Sequence, residues 1–166
     1  MNAAAATVAA VEWKCCAFNA LSLQELHDVL QLRSEVFVLE QSCVFQDIDG
    51  SDAAGAHLMG HRDGELVVYA RCLPAGIKFV EASIGRVVTR LSARGHGLGH
   101  LLMDRALSAV CTLWGQQPIR IGAQAHLEKY YQRHGFVAAG KPYIEDGIEH
   151  LEMIWHPLPV EHPNDH

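Results

Sequence analysis

The chain has 166 residues, the length of one domain, and its 13 lysines and arginines against 19 aspartates and glutamates give a net charge of −6. An acidic chain without a run of lysines or arginines lacks the basic surface that nucleic-acid phosphates require, which excludes that class of protein and suits a cationic substrate. No segment reaches the roughly 18 apolar residues of a membrane-spanning helix, and the 5 cysteines, without a C-x-x-C pair, predict free thiols in a reducing, cytoplasmic setting.

The first predicted elements are a strand and a helix. Alternating residue types over residues 11–18 favour a strand. Ser22 precedes Glu25 by the spacing of a capping box, so a helix is expected over residues 23–40. Its apolar stripe turns polar toward the C-terminal end, where it runs through Arg33, Phe37 and Glu40. A polar end is unusual for a helix face that is buried in a core.

The rest of the chain alternates strands with helices. An acidic loop is expected over 41–55, followed by a hairpin around Asp63-Gly64, because both positions of such a turn need positive φ. The later elements are a turn at 74–78, a strand at 79–90, an amphipathic helix starting in GHGLGH, a strand IRIGAQ, a helix at 126–134 and strands in FVAAG and HLEMIW. This order predicts an α/β domain with a central mixed sheet over residues 11–157, between a loose extension at 1–10 and an irregular tail at 158–166.

The glycine-rich segment that starts the amphipathic helix is a candidate phosphate cradle. Arg94 is followed by Gly95, His96, Gly97, Leu98 and Gly99, directly after the strand at 79–90. The N–H groups at a helix N-terminus are unpaired, glycines allow a pyrophosphate to approach them, and an arginine adds a charged donor. The dinucleotide pattern G-x-G-x-x-G is not met, because Leu102 takes the third glycine position, and the P-loop pattern is absent. A flexible glycine-rich turn without a ligand is the remaining interpretation.

Histidines are numerous, yet their spacing does not predict a metal site. His57 and His61 fall on an expected strand, where a spacing of four does not bring side chains together. His96 and His100 begin a helix, but no third ligand is evident and no H-E-x-x-H pattern occurs. We therefore expect no metal, and His96 could instead donate to a phosphate.

Several segments together resemble one family. Arg94-x-x-Gly97-x-Gly99 resembles the acyl-CoA pyrophosphate motif of the GNAT superfamily of N-acyltransferases. The segment YYQRHGF resembles the second signature of the family, in which a tyrosine lies four residues before a Gly-Phe pair, the position of Tyr131 here. Further segments are similar to the ElaA-like branch, namely 33–41, 46–50, 84–88 and 145–150. The resemblance covers about residues 12–155.

The resemblance implies a single GNAT-like domain with a mostly antiparallel sheet and direct transfer of an acetyl group from acetyl-CoA to an amine. It places the pyrophosphate on residues 95–99, the pantetheine along Val87 and Val88, a donor for the thioester oxygen near Val88, and the thiol-protonating acid at Tyr131. Gln124 stands where many members have an asparagine that contacts CoA. Many members also carry a catalytic glutamate on the fourth strand, where this chain has Gly85, Arg86 and Val87. The general base is therefore open.

The acceptor side is less constrained by the sequence. Arg33, Phe37, Glu40, Asp47 and His150 are the candidate substrate-binding residues, and Glu40, Asp47, His150 or a water chain could deprotonate the amine. Two alternatives are structural: turn formation by the aspartates of the loop, and an intrahelical ion pair between Arg33 and Glu40. The predicted partner is a small-molecule amine, with no nucleic acid and no membrane, and a homodimer is the default oligomer.

Two other functions compete with that of a transferase. The first is an acyl-CoA sensor without catalysis on the same fold, since a fold does not fix its chemistry. The presence of Tyr131 counts against it. The second is a binding module for another nucleotide, against which the unmet dinucleotide and P-loop patterns count.

Overall fold

The computed structural model describes residues 10–159, so the predicted extension at 1–10 and tail at 158–166 lie largely outside the described residues. The elements in chain order are β1 (Glu12–Ala17), α1 (Leu23–Arg33) with a π-helical continuation (Ser34–Glu40), β2 (Ala56–Arg62), β3 (Glu65–Leu73), β4 (Ser83–Thr89), α2 (Leu98–Trp114), β5 (Ile119–Gln124), α3 (Glu128–Gln132), β6 (Val137–Ala138), β7 (Tyr143–Glu145) and β8 (Ile148–Trp155).

The strands form two antiparallel sheets that meet along a parallel seam. The first sheet has the order β1-β2-β3-β4, and the second has the order β5-β8-β6 with β7 added to β8. A parallel bridge joins Ala82, just before β4, to Ile119 at the start of β5, where the N–H of Arg120 donates to the Ala82 carbonyl at 2.9 Å. Beyond this bridge β4 and β5 separate, and a gap opens between their C-terminal ends. The predicted α/β fold with a mixed, mostly antiparallel sheet is confirmed.

Local sequence explains most of the boundaries. The Ser22 side chain accepts from the N–H of Glu25 while the Glu25 carboxylate accepts from the N–H of Ser22, so the capping box starts α1 as predicted. Asp63 and Gly64 have φ of 52° and 77° and close the β2–β3 hairpin as predicted. The main core lies between the two sheets and α2, which buries its face formed by Leu98, Leu102, Met103, Ala106 and Val110.

Two element boundaries differ from the sequence prediction, and one strand is additional. The strand expected over 79–90 begins only at Ser83, because the preceding residues form a turn in which the N–H of Gly76 donates to Phe79. The helix expected over 23–40 changes to π geometry at Ser34. A further strand, β7, pairs with β8 through a turn at Asp146-Gly147, the same dipeptide that predicted the first hairpin. Within residues 10–159, no helix combines the length and the hydropathy needed to cross a bilayer.

Candidate active site

Two cavities open on the gap between β4 and β5 and share part of their walls. The first has a volume of about 730 Å³ and follows the glycine-rich segment and the start of α2. The second has a volume of about 660 Å³ and lies on the other side of the gap. Both are lined by the same central residues, Phe37, Gln41, Val87, Gln124, Leu127 and Tyr131. We call them the cofactor cavity and the acceptor cavity.

The glycine-rich segment presents unpaired backbone donors to the cofactor cavity. Gly95 and Gly97 have φ of 88° and 76°, a left-handed conformation that L side chains rarely adopt, and Gly97 caps α2. Within the described part of the chain, the N–H groups of residues 95–99 donate to no backbone or side-chain acceptor. A row of free N–H groups at the positive end of a 17-residue helix is suited to an anion such as a pyrophosphate.

Arg94 stands beside this cradle and is held by two contacts. Its Nε donates to the carbonyl of Thr89 at 3.0 Å. Its Nη1 and Nη2 form a bidentate pair with the carboxylate of Glu40, at 2.7 Å from Nη2, and this pairing lowers the pKa of Glu40. Glu40 thus lies in the wall of the cofactor cavity and not of the acceptor cavity.

The edge of β4 leaves backbone groups free to face the gap. The N–H of Arg90 donates to β3 at 2.7 Å, and backbone groups alternate in direction along an antiparallel strand. The N–H of Val88 therefore points to β3, while the carbonyl of Val87 and the N–H of Thr89 point into the gap. Arg94 reaches the Thr89 carbonyl from that side. An extended ligand can pair with this edge as an added strand would.

Two neighbouring tyrosines at the end of the cofactor cavity have different environments. The Tyr130 hydroxyl donates to the carbonyl of Gly99 at 2.5 Å and so ties α3 to the start of α2. Tyr131 lines both cavities and is buried, and among residues 10–159 no side-chain hydrogen bond engages its hydroxyl. Burial raises the pKa of Tyr131 to about 12, so the hydroxyl stays protonated at neutral pH.

The acceptor cavity is built from segments that are far apart in the sequence. The loop after α1, the turn before β4, the bulged part of β4 and the β7–β8 hairpin all contribute. Side chains of this cavity that the sequence analysis did not propose are Phe45, Gln46, Asp49, Lys78, Arg86 and Glu145. The dipeptide Asp146-Gly147 is a local signal for the hairpin, and a turn was predicted at 74–78. No local pattern indicated that the residues of that turn line a cavity.

Arg33 and Asp47 are predicted site residues that line neither cavity. Arg33 is fully buried, and its guanidinium donates to the Asp47 carboxylate at 3.0 Å and to Asp52 at 2.8 Å. The alternative of an ion pair between Arg33 and Glu40 is wrong, because each residue has a different partner. Arg33, at the polar end of the helical stripe, therefore belongs to a buried charge cluster with Asp47 and Asp52.

The same cluster supports Arg86 in the wall of the acceptor cavity. Arg71 holds both oxygens of Asp49 at 2.8 and 2.9 Å, which keeps the pKa of that carboxyl far below its usual range. Arg86 bonds to Asp47 at 2.9 Å and to Asp49 at 3.3 Å. Its φ of 51° is strained for a residue with a side chain, and it coincides with the shift in register between β3 and β4. The cluster holds a bulge where the family usually carries a catalytic glutamate.

His150 lies in the wall of the acceptor cavity, as predicted for a substrate-binding residue. It is directly opposite Gln124 in the β5–β8 ladder. Its Nδ1 donates to the carbonyl of Ile148 at 2.7 Å, and its Nε2 lies 3.8 Å from the carboxylate of Glu145. A carbonyl only accepts, so this contact places the ring proton on Nδ1.

The remaining predicted cofactor residues gather around one cavity. Its wall includes Val87, Val88, Arg94, Gly95, Gly97, Leu98, Gly99, Gln124 and Tyr131. His96 is exposed and does not line it. The Gln124 amide donates to the Gln41 side chain at 3.2 Å, and both residues line both cavities. The segment at 95–99 and the segment around Tyr131 thus meet across the gap.

Comparison with known proteins gives consistent matches. The family model "Acetyltransferase (GNAT) domain" matches residues 24–157. Protein ElaA of Escherichia coli is 41% identical over 145 residues, or 86% of this chain and 95% of that protein. The crystal structure of Escherichia coli ElaA aligns with a TM-score of 0.83 at 39% identity and covers 89% of this chain and 100% of the other. An acyl-CoA N-acyltransferase from Pseudomonas aeruginosa aligns with a TM-score of 0.83 at 47% identity, over 88% and 99% of the two chains.

Proposed function

The chain belongs to the GNAT acetyltransferase family, and on that premise we propose that it transfers an acetyl group from acetyl-CoA to a primary amine by direct attack in a ternary complex. The family match and the alignment with an acyl-CoA N-acyltransferase make it an acyl-CoA-dependent transferase with a small-molecule acceptor. We propose in addition that the protein is cytoplasmic and forms a homodimer.

The observation that carries the proposal is the pair of cavities that share a wall at Tyr131. A direct transfer needs the thioester and the amine to approach each other without an intermediate carried by the enzyme. The two cavities provide that approach, since both open on the gap between β4 and β5. Phe37, Leu127 and Tyr131 lie in the shared wall, where the acyl group would pass from one cavity to the other.

The cofactor side offers a partner for each part of acetyl-CoA. The pyrophosphate accepts from the free N–H groups of residues 95–99 and from Arg94, which leaves its pair with Glu40. The pantetheine pairs with the edge of β4 at Val87. A backbone N–H on this edge, next to Val88, donates to the thioester oxygen as negative charge develops there. A preorganised donor of this kind is worth about 3 kcal/mol to the transition state.

Tyr131 is the proposed general acid. As the C–S bond breaks, the sulfur takes the proton of the Tyr131 hydroxyl, and CoA leaves as a neutral thiol. The raised pKa of Tyr131, about 12 through burial, keeps the acid protonated until then. The free hydroxyl supports this role, whereas the hydroxyl of Tyr130 is engaged with Gly99.

The test is thiol release from acetyl-CoA over a panel of primary amines, with the Tyr131→Phe variant beside wild type. General acid catalysis contributes about 10²–10⁴-fold, so kcat should fall by at least about 100-fold while the Kd for CoA stays within about twofold. Tyr130→Phe is the matched control, because it removes one hydroxyl from the neighbouring residue.

The outcomes separate the competing functions. Turnover that Tyr131→Phe abolishes and Tyr130→Phe largely keeps supports the transferase with Tyr131 as its acid. Tight CoA binding with no amine consumed would instead favour an acyl-CoA sensor. An absence of CoA binding would overturn the assignment of the cofactor cavity.

A further inference from the structure

A primary amine arrives as an ammonium and must lose a proton before it can attack. The structure narrows the groups that can take this proton. The oxygens of Asp47 bond separately to Arg33 and Arg86. Asp49 is held by Arg71, which keeps its pKa too low for a useful base. These carboxylates serve the charge cluster and have no free capacity for a proton.

Glu40 is excluded by position. It forms a bidentate pair with Arg94 and lines the cofactor cavity alone. A base must lie within hydrogen-bond reach of the nitrogen that attacks, directly or through one water. Glu40 lies on the phosphate side, away from the acceptor.

His150 has the geometry that these carboxylates lack. With the ring proton held on Nδ1 by the Ile148 carbonyl, Nε2 carries a lone pair. A Glu145 carboxylate oxygen lies 3.8 Å from this nitrogen. Two acceptors at this separation leave an ammonium group able to donate to both. The ring itself is fixed by stacking on Tyr143, with centroids 5.7 Å apart.

The strand register brings His150 close to the point of transfer. It lies directly opposite Gln124, and side chains at such positions share one face of the sheet with Cβ atoms about 5 Å apart. Gln124 lines both cavities, so the imidazole lies one side chain away from the shared wall. An acceptor in this cavity therefore has its nitrogen between His150 and the thioester.

We propose that His150 is the general base of the reaction and that Glu145 binds the acceptor ammonium and then stabilises the imidazolium. The role rests on the proposed function. The ammonium gives one proton to Nε2, and the resulting amine attacks the thioester carbonyl carbon. Collapse breaks the C–S bond, the sulfur takes the Tyr131 proton, and the nitrogen loses a second proton that restores Tyr131. The products are an amide, the free thiol and one proton that leaves His150 for solvent.

The charged groups around His150 come from each packed element. Glu145 and Tyr143 face it from β7, and Glu152 lies two residues along β8 on the same face. β5 contributes the uncharged Gln124 and, four residues earlier on the same face, Arg120, whose guanidinium lies 3.7 Å from the Glu152 carboxylate. The acceptor cavity that His150 lines is also lined by Lys78, Arg86, Asp49 and Asp146.

The experiment compares wild type with His150→Gln in profiles of kcat/KM against pH. We expect kcat/KM for an alkylamine to fall by about 10²–10⁴-fold in the variant, with loss of the ascending limb that an imidazole base produces in the neutral range. With an arylamine, which is already neutral at the assay pH, the loss should be less than about tenfold. Added imidazole should restore part of the alkylamine activity.

Controls keep the interpretation clear. Glu149→Gln changes the adjacent, exposed residue on the other face of β8 and should leave the profile unchanged. CoA binding and a cooperative unfolding transition establish that His150→Gln is folded. An unchanged limb, or equal losses with both amines and no rescue, overturns the base and leaves the transferase standing. If wild type releases no thiol with any amine, the proposed function fails, and the base with it.

Discussion

The cofactor cavity and the acceptor cavity share a wall but are built in different ways. The cofactor cavity depends on one contiguous segment, residues 94–99, in which the backbone N–H groups of residues 95–99 are the donors. The acceptor cavity depends on side chains from a loop, a turn, a bulged strand and a hairpin, which a buried set of arginines and aspartates supports. A ligand site made of backbone N–H groups can be predicted from a short segment of sequence. A site made of side chains from distant segments can be seen only in the folded structure.

This contrast says which changes each side tolerates. Backbone N–H groups at a helix N-terminus can hold a phosphate with little dependence on the side chains that the segment carries. The charge cluster holds Arg86 in the wall of the acceptor cavity, so we expect changes to the cluster to alter which acceptor binds. Variants that alter one of the two cavities and leave the other intact test this contrast.

The largest effect is expected from Arg33→Met, which breaks the charge cluster. Without Arg33, the buried Asp47 keeps only Arg86 and Asp52 keeps only Arg71 as a cationic partner, and the loss of one partner of a buried ion pair costs about 3–5 kcal/mol of unfolding free energy. Arg33 is fully buried between Asp47 and Asp52. Denaturant unfolding measures the loss. Lys14→Met is the control, since it also removes the cation of a salt bridge, to Glu25, but at an exposed site where solvent screens the pair, so the loss should be much smaller. Equal losses in both variants would contradict the structural role of the cluster.

A smaller effect, confined to the cofactor side, is expected from Gly97→Ala. At φ of 76° a Cβ is strained by about 1–2 kcal/mol, and relief of the strain turns the N–H groups away from the phosphate. Each charged hydrogen bond lost costs about 1.5–3 kcal/mol, so the Kd for CoA should rise at least about tenfold by calorimetry. Gly64→Ala, at φ of 77° in the β2–β3 turn, carries the same strain away from both cavities. If it weakens CoA binding equally, the cradle is not the cause.

The smallest effect is expected from Glu40→Gln, and it should strengthen binding. Without CoA, Arg94 is paired with Glu40, and that pair must open before Arg94 can reach a phosphate. Partly exposed pairs are worth up to about 1 kcal/mol, so the Kd for CoA should fall by up to about fivefold. Arg94→Gln should raise the Kd instead, as measured by the same titration. Weaker binding by Glu40→Gln would mean that Glu40 orients the arginine and does not compete for it.

The elements and the cofactor side were predictable because their signals are local. The capping box at Ser22, the turn at Asp63-Gly64 and the glycines before α2 each specify a conformation within a few residues. The resemblance to the family placed Tyr131 opposite the cradle, and the structure brings the two segments to one cavity.

The acceptor side was not predictable to the same degree. Arg33 stands on a helical stripe with Phe37, yet the change to π geometry at Ser34 separates their surroundings, so that Phe37 reaches the cavities and Arg33 the buried aspartates. Lys78 and Glu145 are brought into one wall by segments 67 positions apart, as their residue numbers give. No local pattern encodes such a contact. His150 was among several candidates, and only its bond to Ile148 and its register opposite Gln124 distinguish it.

The bridge between Ala82 and Ile119 gives the gap a mechanical property. It joins the two sheets at one end, so any rotation of β5 relative to β4 would pivot near Ile119. At a rise of about 3.3 Å per residue, Gln124 lies about 16 Å from that pivot, and a rotation of about 5° moves it by about 1.4 Å. A displacement that is barely felt in the core therefore changes the width of the gap by about the length of a covalent bond. A rotation about this bridge would thus alter the gap between the C-terminal ends of β4 and β5 far more than it would alter the packing next to Ile119.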